Sequence, residues 1–424
     1  GFFPSAAAGW VISNESFWDG IRKTVSNLKI RVSYGLAGND ALGERFPYRS
    51  IVAMGEESGF YYNWNSQGKG PKITTYGNPN ATWEEAKKLD VGLELGLFNA
   101  LNIEAAYFTE DRTGIFMRRT SLPSSTGLLG VTPYGNIGRV KSHGVDLSAV
   151  YNKQFNKDWS LSLRGTFTFS RNEVVEKDEG DLMYDYMSVV GHPVNAITGV
   201  LVADGLFTSQ EEIDNSPKQQ FGNYTVGDIK YRDLNGDGVI DANDRTSLGY
   251  PTVPEILYGF GASVNYKRWD FSFFFQGTAR VSLRMYDMHP FRDNQYSGFN
   301  MTQYVADDHW SEADPNPNAA YPRLDYRYNA NNTQTSSFWI KNGSYLRLKN
   351  IQLGYTLPER ISMKFGVKRF KIYFNAQNLL TFSNCSFIDP ESSEFGSNMN
   401  SGGANSGRNY PNLRYFGAGL NITF

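Results

Sequence analysis

FGAGLNITF, the stretch from Phe416 to Phe424, decides the class of fold. Counting back from Phe424, every second residue is apolar, and the residues between are small or polar. This period of two is the pattern of a β-strand with one apolar and one polar face. An edge strand of a soluble β-protein would fray at a free end and expose its aromatic residue. The pattern therefore favours the closing strand of a membrane β-barrel, whose apolar face meets lipid.

The same alternation recurs in long runs along the whole chain. Examples are Leu28 to Tyr34, Leu89 to Leu97, Trp159 to Phe169 and Ile256 to Tyr266. The runs approach the roughly 9–11 residues that a tilted strand needs to cross a bilayer, whereas globular strands average about five or six. We count about eleven, the first near Ala8–Phe17, and predict an all-β transmembrane antiparallel barrel. Because bacterial barrels have an even number of strands, an odd count predicts that part of the barrel is missing from this sequence.

The connections between these runs alternate strictly between short and long. Short ones fall at residues 98–100, 153–158, 267–268 and 358–368, and long ones at 38–87, 112–142, 172–254, 281–344 and 381–411. Bacterial barrels have short periplasmic turns and long extracellular loops. The alternation therefore predicts that all the long loops lie on the outer side and that Phe424 ends on the periplasmic side.

Composition excludes several classes of function. The 424 residues carry 41 basic and 43 acidic side chains, so no basic excess indicates nucleic acid. The single cysteine, Cys385, cannot form an intrachain disulfide, and the four histidines lack metal-ligand spacing. No nucleophile elbow, phosphate loop or zinc motif occurs, so we predict no enzyme and no catalytic residue. The chain starts at Gly1 without a signal peptide, so we expect the N-terminal part to be absent.

Several segments resemble the SusC/RagA group of TonB-dependent outer-membrane transporters. They are spread through the chain in the order of the C-terminal half of such a transporter: Asn80–Glu85, Asn136–Leu147, Gly227–Asp241, Gly249–Pro251, Tyr345–Ile351, Leu353–Pro358, Asn378–Leu380 and Asp389–Glu391. The resemblance implies that residues 1–424 form the second half of a 22-stranded barrel in the bacterial outer membrane. It also implies that a plug and the first strands precede them in the complete protein.

The resemblance carries further expectations about function and partners. It implies an active importer of large nutrients, either oligosaccharides or peptides. Expected partners are a SusD-like surface lipoprotein, outer-membrane lipid, and the TonB complex through the missing N-terminal region. Two alternatives stay open from the residues alone: a passive porin-like or adhesin barrel, and a soluble β-rich glycan-binding protein. Dependence of uptake on the inner-membrane energy system separates the importer from the first, and partition into detergent separates a barrel from the second.

An acidic segment predicts a bound cation within residues 228–245. Positions 1, 3, 5, 7, 9 and 12 of a twelve-residue calcium loop are occupied by Asp233, Asn235, Asp237, Val239, Asp241 and Asp244. Val239 would offer its backbone carbonyl, Gly238 would permit the sharp turn, and Ile240 would pack inward. Asp244 replaces the usual bidentate glutamate and reaches less far. We predict a structural Ca²⁺ that rigidifies an outer loop, in preference to a loop of Asx turns alone.

Two aromatic and amide-rich stretches are candidate contacts for a substrate or lid protein. They are Tyr61–Asn65 and Tyr321–Asn332. Sugars stack on aromatic faces and hydrogen-bond to amides, but a packed outer loop has the same composition. We take packing as the preferred interpretation of both stretches.

Overall fold

One antiparallel sheet organises the molecule. The computed structural model describes residues 1–43, 45–63, 66–128, 131, 133–285, 302–325, 328–385, 388–391 and 410–424. Eleven long strands pair in chain order, each with the next: β1 Ser5–Val11, β2 Val25–Asn39, β3 Glu84–Leu97, β4 Leu101–Arg118, β5 Tyr134–Asn156, β6 Trp159–Glu176, β7 Ile256–Tyr266, β8 Trp269–Ala279, β9 Tyr345–Thr356, β10 Arg369–Gln377 and β11 Tyr415–Thr423. The predicted count of eleven antiparallel strands is confirmed.

The alternating residues build two faces that run across all eleven strands. Phe260 faces Phe275, Phe273 faces Ile351, and Phe374 faces Ala418 on neighbouring strands, so the apolar band is continuous. Its side chains stay exposed, Phe374 to 61% and Leu420 to 60%. A contiguous exposed apolar surface of this size is typical of a face covered by lipid. The opposite face carries cross-strand ion pairs, such as Lys29–Glu94 at 2.7 Å and Lys371–Asp270 at 2.8 Å.

An aromatic row lies at the short-turn end of the apolar face. The rings of Trp159 and Tyr266 have centroids 5.6 Å apart, and those of Trp269 and Tyr355 lie 4.6 Å apart. These four residues belong to the ends of β6 to β9, at matching positions of the sheet. Aromatic girdles occupy this place in membrane barrels, because the rings suit the boundary between lipid and water.

The strand boundaries differ from the sequence expectation in two ways. β5 has 23 residues and β6 has 18, because antiparallel pairing continues beyond the apolar band into the outer region. The first strand was predicted near Ala8–Phe17 and this position is wrong, since β1 ends at Val11. The polar residues from Ser13 to Ser16 break the alternation there, and the chain forms two 3₁₀ turns, Ile12–Asn14 and Ser16–Trp18.

The strict alternation of connections is confirmed. The long ones, residues 40–83, 119–133, 177–255, 280–344 and 378–414, all join strands at the same end of the sheet, and the short turns lie at the other end. The turn between β3 and β4 shows why short turns are possible there. Phe98 and Asn99 both take positive φ, 55° and 51°, which matches the twist of a two-residue hairpin.

The long connections carry their own short elements. Strands are Ile51–Asn63, Ser66–Thr75, Ile197–Leu201, Ala203–Leu206, Lys218–Gln219, Ile229–Tyr231, Val239–Ile240, Arg245–Leu248, Ser282–Arg284, Ile340–Asn342 and Thr381–Ser383. Helices in them are Gln210–Asp214 and Gln303–Asp307, with 3₁₀ turns at Ser124–Thr126, Asp185–Met187, Ala242–Asp244 and Ser337–Trp339. The helix Glu359–Ser362 and the 3₁₀ turn Met363–Phe365 lie in the short connection between β9 and β10. In the described part of the chain, none of the helices has the length and apolar content to cross a bilayer.

Candidate functional site

Two long loops pack into one body at the outer end of the sheet, which we call the outer module (residues 197–248, 282–285, 302–325 and 328–342). Its apolar core combines side chains from both loops: Leu201, Leu206, Ile229, Tyr231, Ile240, Met285, Val305, Trp310, Ala319, Tyr321 and Trp339. Burial of so many large side chains offsets the entropy of ordering long loops. The outer loops are therefore a built structure that can present side chains at fixed positions.

Asp228 is the polar centre of the outer module. Its side chain is fully buried and accepts hydrogen bonds from Arg323 Nε and Nη2, both at 3.2 Å. Asn332 Nδ2 donates at 2.9 Å, Asn329 Nδ2 at 3.2 Å, and the backbone N–H of Thr225 at 2.9 Å. A buried carboxylate is stable only with such compensation. Asp228 therefore ties the 177–255 loop to the 280–344 loop.

Buried amide side chains extend this connection. Gln219 Nε2 donates to Asn331 Oδ1 at 2.7 Å, and Asn331 Nδ2 donates to the Ile229 carbonyl at 2.9 Å. The hydroxyl of Tyr231 donates to the Asn331 carbonyl at 2.6 Å. For the described part of Tyr321–Asn332, the preferred interpretation as packing is confirmed. For the other candidate stretch, the side chains of Tyr61 to Asn63 and all of Trp64 and Asn65 lie outside the described residues.

The predicted cation segment lies at the edge of the outer module. Ile240 is buried in the core, as expected, and the Asp244 side chain is fully buried. Asp233 accepts the backbone N–H groups of Gly236 at 2.6 Å and Gly238 at 2.8 Å. The remaining predicted ligands make similar local bonds: Asn235 accepts from Asp237, Asp237 from Val239, Asp241 from Asn243, and Asp244 from Leu234 and Asp241. All six predicted positions thus lie on one compact turn.

The donor chemistry of this turn fits a hard cation, although the carboxylates already have partners. Over the described residues, no three acidic, histidine or cysteine side chains converge closely enough to hold a metal ion. Each carboxylate has about four lone-pair sites, so Asp233 and Asp237 can accept backbone N–H groups and still offer oxygen atoms. The predicted side-chain ligands are not gathered around one point, so cation binding by this turn stays a prediction.

A second buried charge cluster anchors the last long loop. Arg347 of β9 is 3% exposed and pairs with Asp389 at 2.5 Å and with Glu391. Lys349 of the same strand lies 2.7 Å from Glu391. The second Asp389 oxygen accepts the backbone N–H of Asn412 at 2.7 Å. Two of the quoted sequence segments, Tyr345–Ile351 and Asp389–Glu391, thus meet in one ion-pair network.

Asn136 joins two more of the quoted segments at the outer end of the wall. Its Nδ2 donates to the carbonyls of Thr82 and Gly114, both at 2.8 Å, and its Oδ1 accepts the Thr82 N–H at 3.0 Å. Gly114 has φ +67°, a conformation that suits glycine at this bulge. Nearby, Glu84 accepts from Asn39 Nδ2 at 3.0 Å. These bonds fix the rim of the polar face.

A cavity of about 1100 Å³ lies between this rim and the segments 189–198 and 251–257. The segment 189–198 is held against β6 by two hydrogen bonds. The Val174 N–H donates to the His192 carbonyl at 2.9 Å, and the Val194 N–H donates to Asn172 Oδ1 at 2.7 Å. The volume lies just above the usual range of ligand pockets, about 300–1,000 Å³. Glu84, Glu110, Arg112 and Glu255 are among its polar lining.

Sequence reasoning missed the cavity. Its walls come from six strands, β2 to β7, and from two parts of one loop, which are far apart in the chain. One pattern in the sequence could have indicated it. When the alternation of β7 is continued back from Ser263, Leu257 and Glu255 fall on the polar face. Pro251 and Pro254 just before them then mark a turn at the rim.

Comparison with known proteins agrees with this architecture. Residues 1–379 match the family model described as TonB dependent receptor-like, beta-barrel. TonB-dependent receptor P26 of Formosa agariphila is 34% identical over 442 residues, which cover 100% of this chain and 42% of that protein. TonB-dependent receptor SusC of Bacteroides thetaiotaomicron is 25% identical over 406 residues, 92% of this chain and 38% of SusC.

Among solved structures, the RagAB peptide transporter superposes with a TM-score of 0.69 at 22% identity. The match covers 100% of this chain and 43% of that one, and it bears on the fold alone. The chain spans about two fifths of the length of the curated relatives it matches. TonB-dependent receptors are outer-membrane transporters and not enzymes. On the match over residues 1–379, this chain belongs to the TonB-dependent receptor-like β-barrel family.

Proposed function

We propose that the chain forms the C-terminal half of the barrel wall and the outer loops of an energised outer-membrane importer of large nutrients, oligosaccharides or peptides. The observation that supports this most is the outer module on a wall with a continuous lipid-facing band. A passive pore needs no such packed body above its lumen. The whole transporter would comprise this half, a plug and the first barrel strands.

The partners follow from the same proposal. A SusD-like surface lipoprotein would sit over the outer loops, and SusC itself is one of the relatives. The TonB complex would act through the N-terminal region that the proposed whole transporter adds to this half. Residues 228–245 would be a calcium-loop insertion that stiffens the outer module rather than a sensor, because Ile240 and Asp244 are already buried in that module.

Uptake should stop when the inner-membrane energy system is removed. In cells whose only route for a large nutrient is this transporter, removal of TonB should abolish accumulation of the labelled nutrient, because import against a concentration gradient requires that energy. The control is the same strain carrying a passive porin wide enough for the nutrient. Accumulation that continues without TonB would support the passive-barrel alternative instead.

Calcium should bind the Asp233–Asp244 turn in the intact protein. Isothermal calorimetry with CaCl₂ should show a site with a Kd of about 10⁻⁴–10⁻³ M, the range of extracellular modules, because Asp244 is shorter than glutamate. The double variant Asp233→Asn, Asp237→Asn should lose the site. Asp214→Asn, an exposed acid on the neighbouring short helix, is the matched control. Equal heats for the wild type and the double variant would contradict the proposal.

A further inference from the structure

A basic edge lies at the short-turn end of the wall, which faces the periplasm in bacterial barrels. It consists of the exposed basic side chains in the β5–β6, β7–β8 and β9–β10 connections: Lys157, Lys267, Arg268, Arg360, Lys364 and Lys368. The same three connections contain only two acids, Asp158 and Glu359. We propose that the basic edge binds the phosphate groups of anionic phospholipids in the inner leaflet of the outer membrane. The proposal concerns the lipid around the barrel and does not depend on the imported cargo.

The three connections form one continuous surface. The Lys267 N–H donates to the Asp158 carbonyl at 2.6 Å, which joins the first connection to the second. The Thr356 N–H donates to the Arg268 carbonyl at 2.8 Å, and Arg268 Nη1 donates to the Leu357 carbonyl at 3.0 Å. Among the ion pairs of the described residues, none involves a side chain of the basic edge. The positive charges are therefore held together without acidic partners.

The layers of the wall at this end follow the order of the groups in a phospholipid. The apolar band comes first, then the aromatic row of β6 to β9, and then the basic edge. Lys267 Nζ lies 5.4 Å from the ring centroid of Tyr266, so the row and the edge are in contact. Ile361 and Met363 add apolar side chains to the β9–β10 connection, 42% and 59% exposed. A lipid whose acyl chains lie along the band therefore places its phosphate beside these cations.

The excess of positive charge is confined to one part of the short-turn end. The β1–β2 connection, residues 12–24, balances two acids with two bases, and Arg22 there pairs with Asp19 at 3.1 Å. The β3–β4 connection, residues 98–100, has no charged side chain. The whole chain has a formal net charge of -2, so the edge does not reflect a basic composition. Lysines that only extend towards water would suit any strand end, whereas their concentration beside β5 to β10 fits a ligand of opposite charge.

Native mass spectrometry of the intact transporter tests the proposal with two defined lipids. The probes are dioleoylphosphatidylglycerol, which is anionic, and dioleoylphosphatidylethanolamine, which has the same acyl chains and phosphate but no net charge. The wild type should retain the anionic lipid in preference, and this preference should fall as the ammonium acetate concentration rises. The double variant Lys267→Gln, Lys364→Gln should weaken binding of the anionic lipid at least about tenfold, because each cation near an anionic headgroup contributes to the attraction.

Two control variants separate the charge of the edge from other effects. Lys23→Gln with Lys218→Gln removes the same charge from exposed positions outside the edge and should leave lipid binding unchanged. Lys267→Arg with Lys364→Arg keeps the charge and should keep the binding.

Four outcomes would overturn the proposal. They are a wild type without preference for the anionic lipid, undiminished binding by the glutamine pair, equal loss of binding in the arginine pair, and displacement of the lipid by inorganic phosphate at the same concentration. A decaglutamate peptide that binds only when Lys267 and Lys364 are present, while lipid binding does not depend on them, would instead identify a docking surface for an acidic protein.

Discussion

Arg347→Met is expected to release the last long outer loop from the barrel wall. The substitution removes the cation that pairs with Asp389 and Glu391, so the carboxylate of Asp389, whose side chain is 5% exposed, loses the Arg347 guanidinium. Breaking a buried pair from one side costs about 3–5 kcal/mol. Hydrogen exchange at residues 388–391 and 410–414 of the intact protein should therefore accelerate by orders of magnitude. The strands of the wall should keep their protection.

Two further variants separate charge from packing. Lys349→Met removes a partly exposed partner of Glu391 and should cost no more than about 1 kcal/mol. Adding Asp389→Asn and Glu391→Gln to Arg347→Met should restore most of the loop protection, because no uncompensated charge is then buried. Exchange in Arg347→Met that matches the wild type would contradict the assigned anchoring role of the cluster.

The same cluster determines the pH below which the last long loop loosens from the wall. Burial by itself raises the pKa of Asp389, but hydrogen bonds from Arg347 and from the backbone N–H groups of Glu391 and Asn412 outweigh it, so the pKa lies below the ordinary 3.8. A lowered carboxyl pKa stabilises the fold above the unfolded-state value and loses that contribution as the pH falls through the folded-state value. The loop should stay docked at neutral pH and loosen only below pH 3.8.

Asp228→Asn should loosen the outer module as a whole. The amide would turn donor N–H groups towards the Arg323, Asn329 and Asn332 side chains, which are all donors, and it would remove the charge that balances Arg323. We expect a loss of about 3–5 kcal/mol, as for a buried pair broken from one side. The readout is hydrogen exchange at the amides of Ile229 and Tyr231.

Asp204→Asn is the matched control for Asp228→Asn. Asp204 also pairs with an arginine of the outer module, Arg232, at 2.5 Å, but its side chain is 31% exposed and that of Arg232 is 56% exposed. An exposed pair of this kind contributes about 0–1 kcal/mol. Equal effects of the two substitutions would show that burial of Asp228 does not determine the stability of the module.

The wall of the barrel could be predicted closely from the sequence. Alternation is a local property, so each run of Leu, Val, Phe and Tyr shows its own strand and its own faces. Chain-order pairing then follows from short turns such as Phe98–Asn99. The boundaries were less accurate. The outer ends of β5 and β6 extend as far as these two strands pair with each other, and there Arg139 and Glu176 are 37 positions apart.

The outer module could be predicted only in part. The segment around Asp228 could be recognised in the sequence, but Arg323, the side chain that pairs with Asp228, lies 95 residues away. Likewise, Arg347 and Asp389 each belong to a noted segment, and only the fold shows that they pair. The calcium turn was predicted from spacing, and its six positions do lie on one turn, while the binding of the ion stays a prediction.

The sequence by itself determined the eleven strands, their two faces and the placement of all long loops at one end. Those features depend on contacts between residues a few positions apart or on adjacent strands. Only the tertiary structure decided which loop side chains are buried and where a cavity opens. Asp228, Glu255 and Arg347 acquire their surroundings from segments dozens of residues away, and no local pattern encodes a contact of that range.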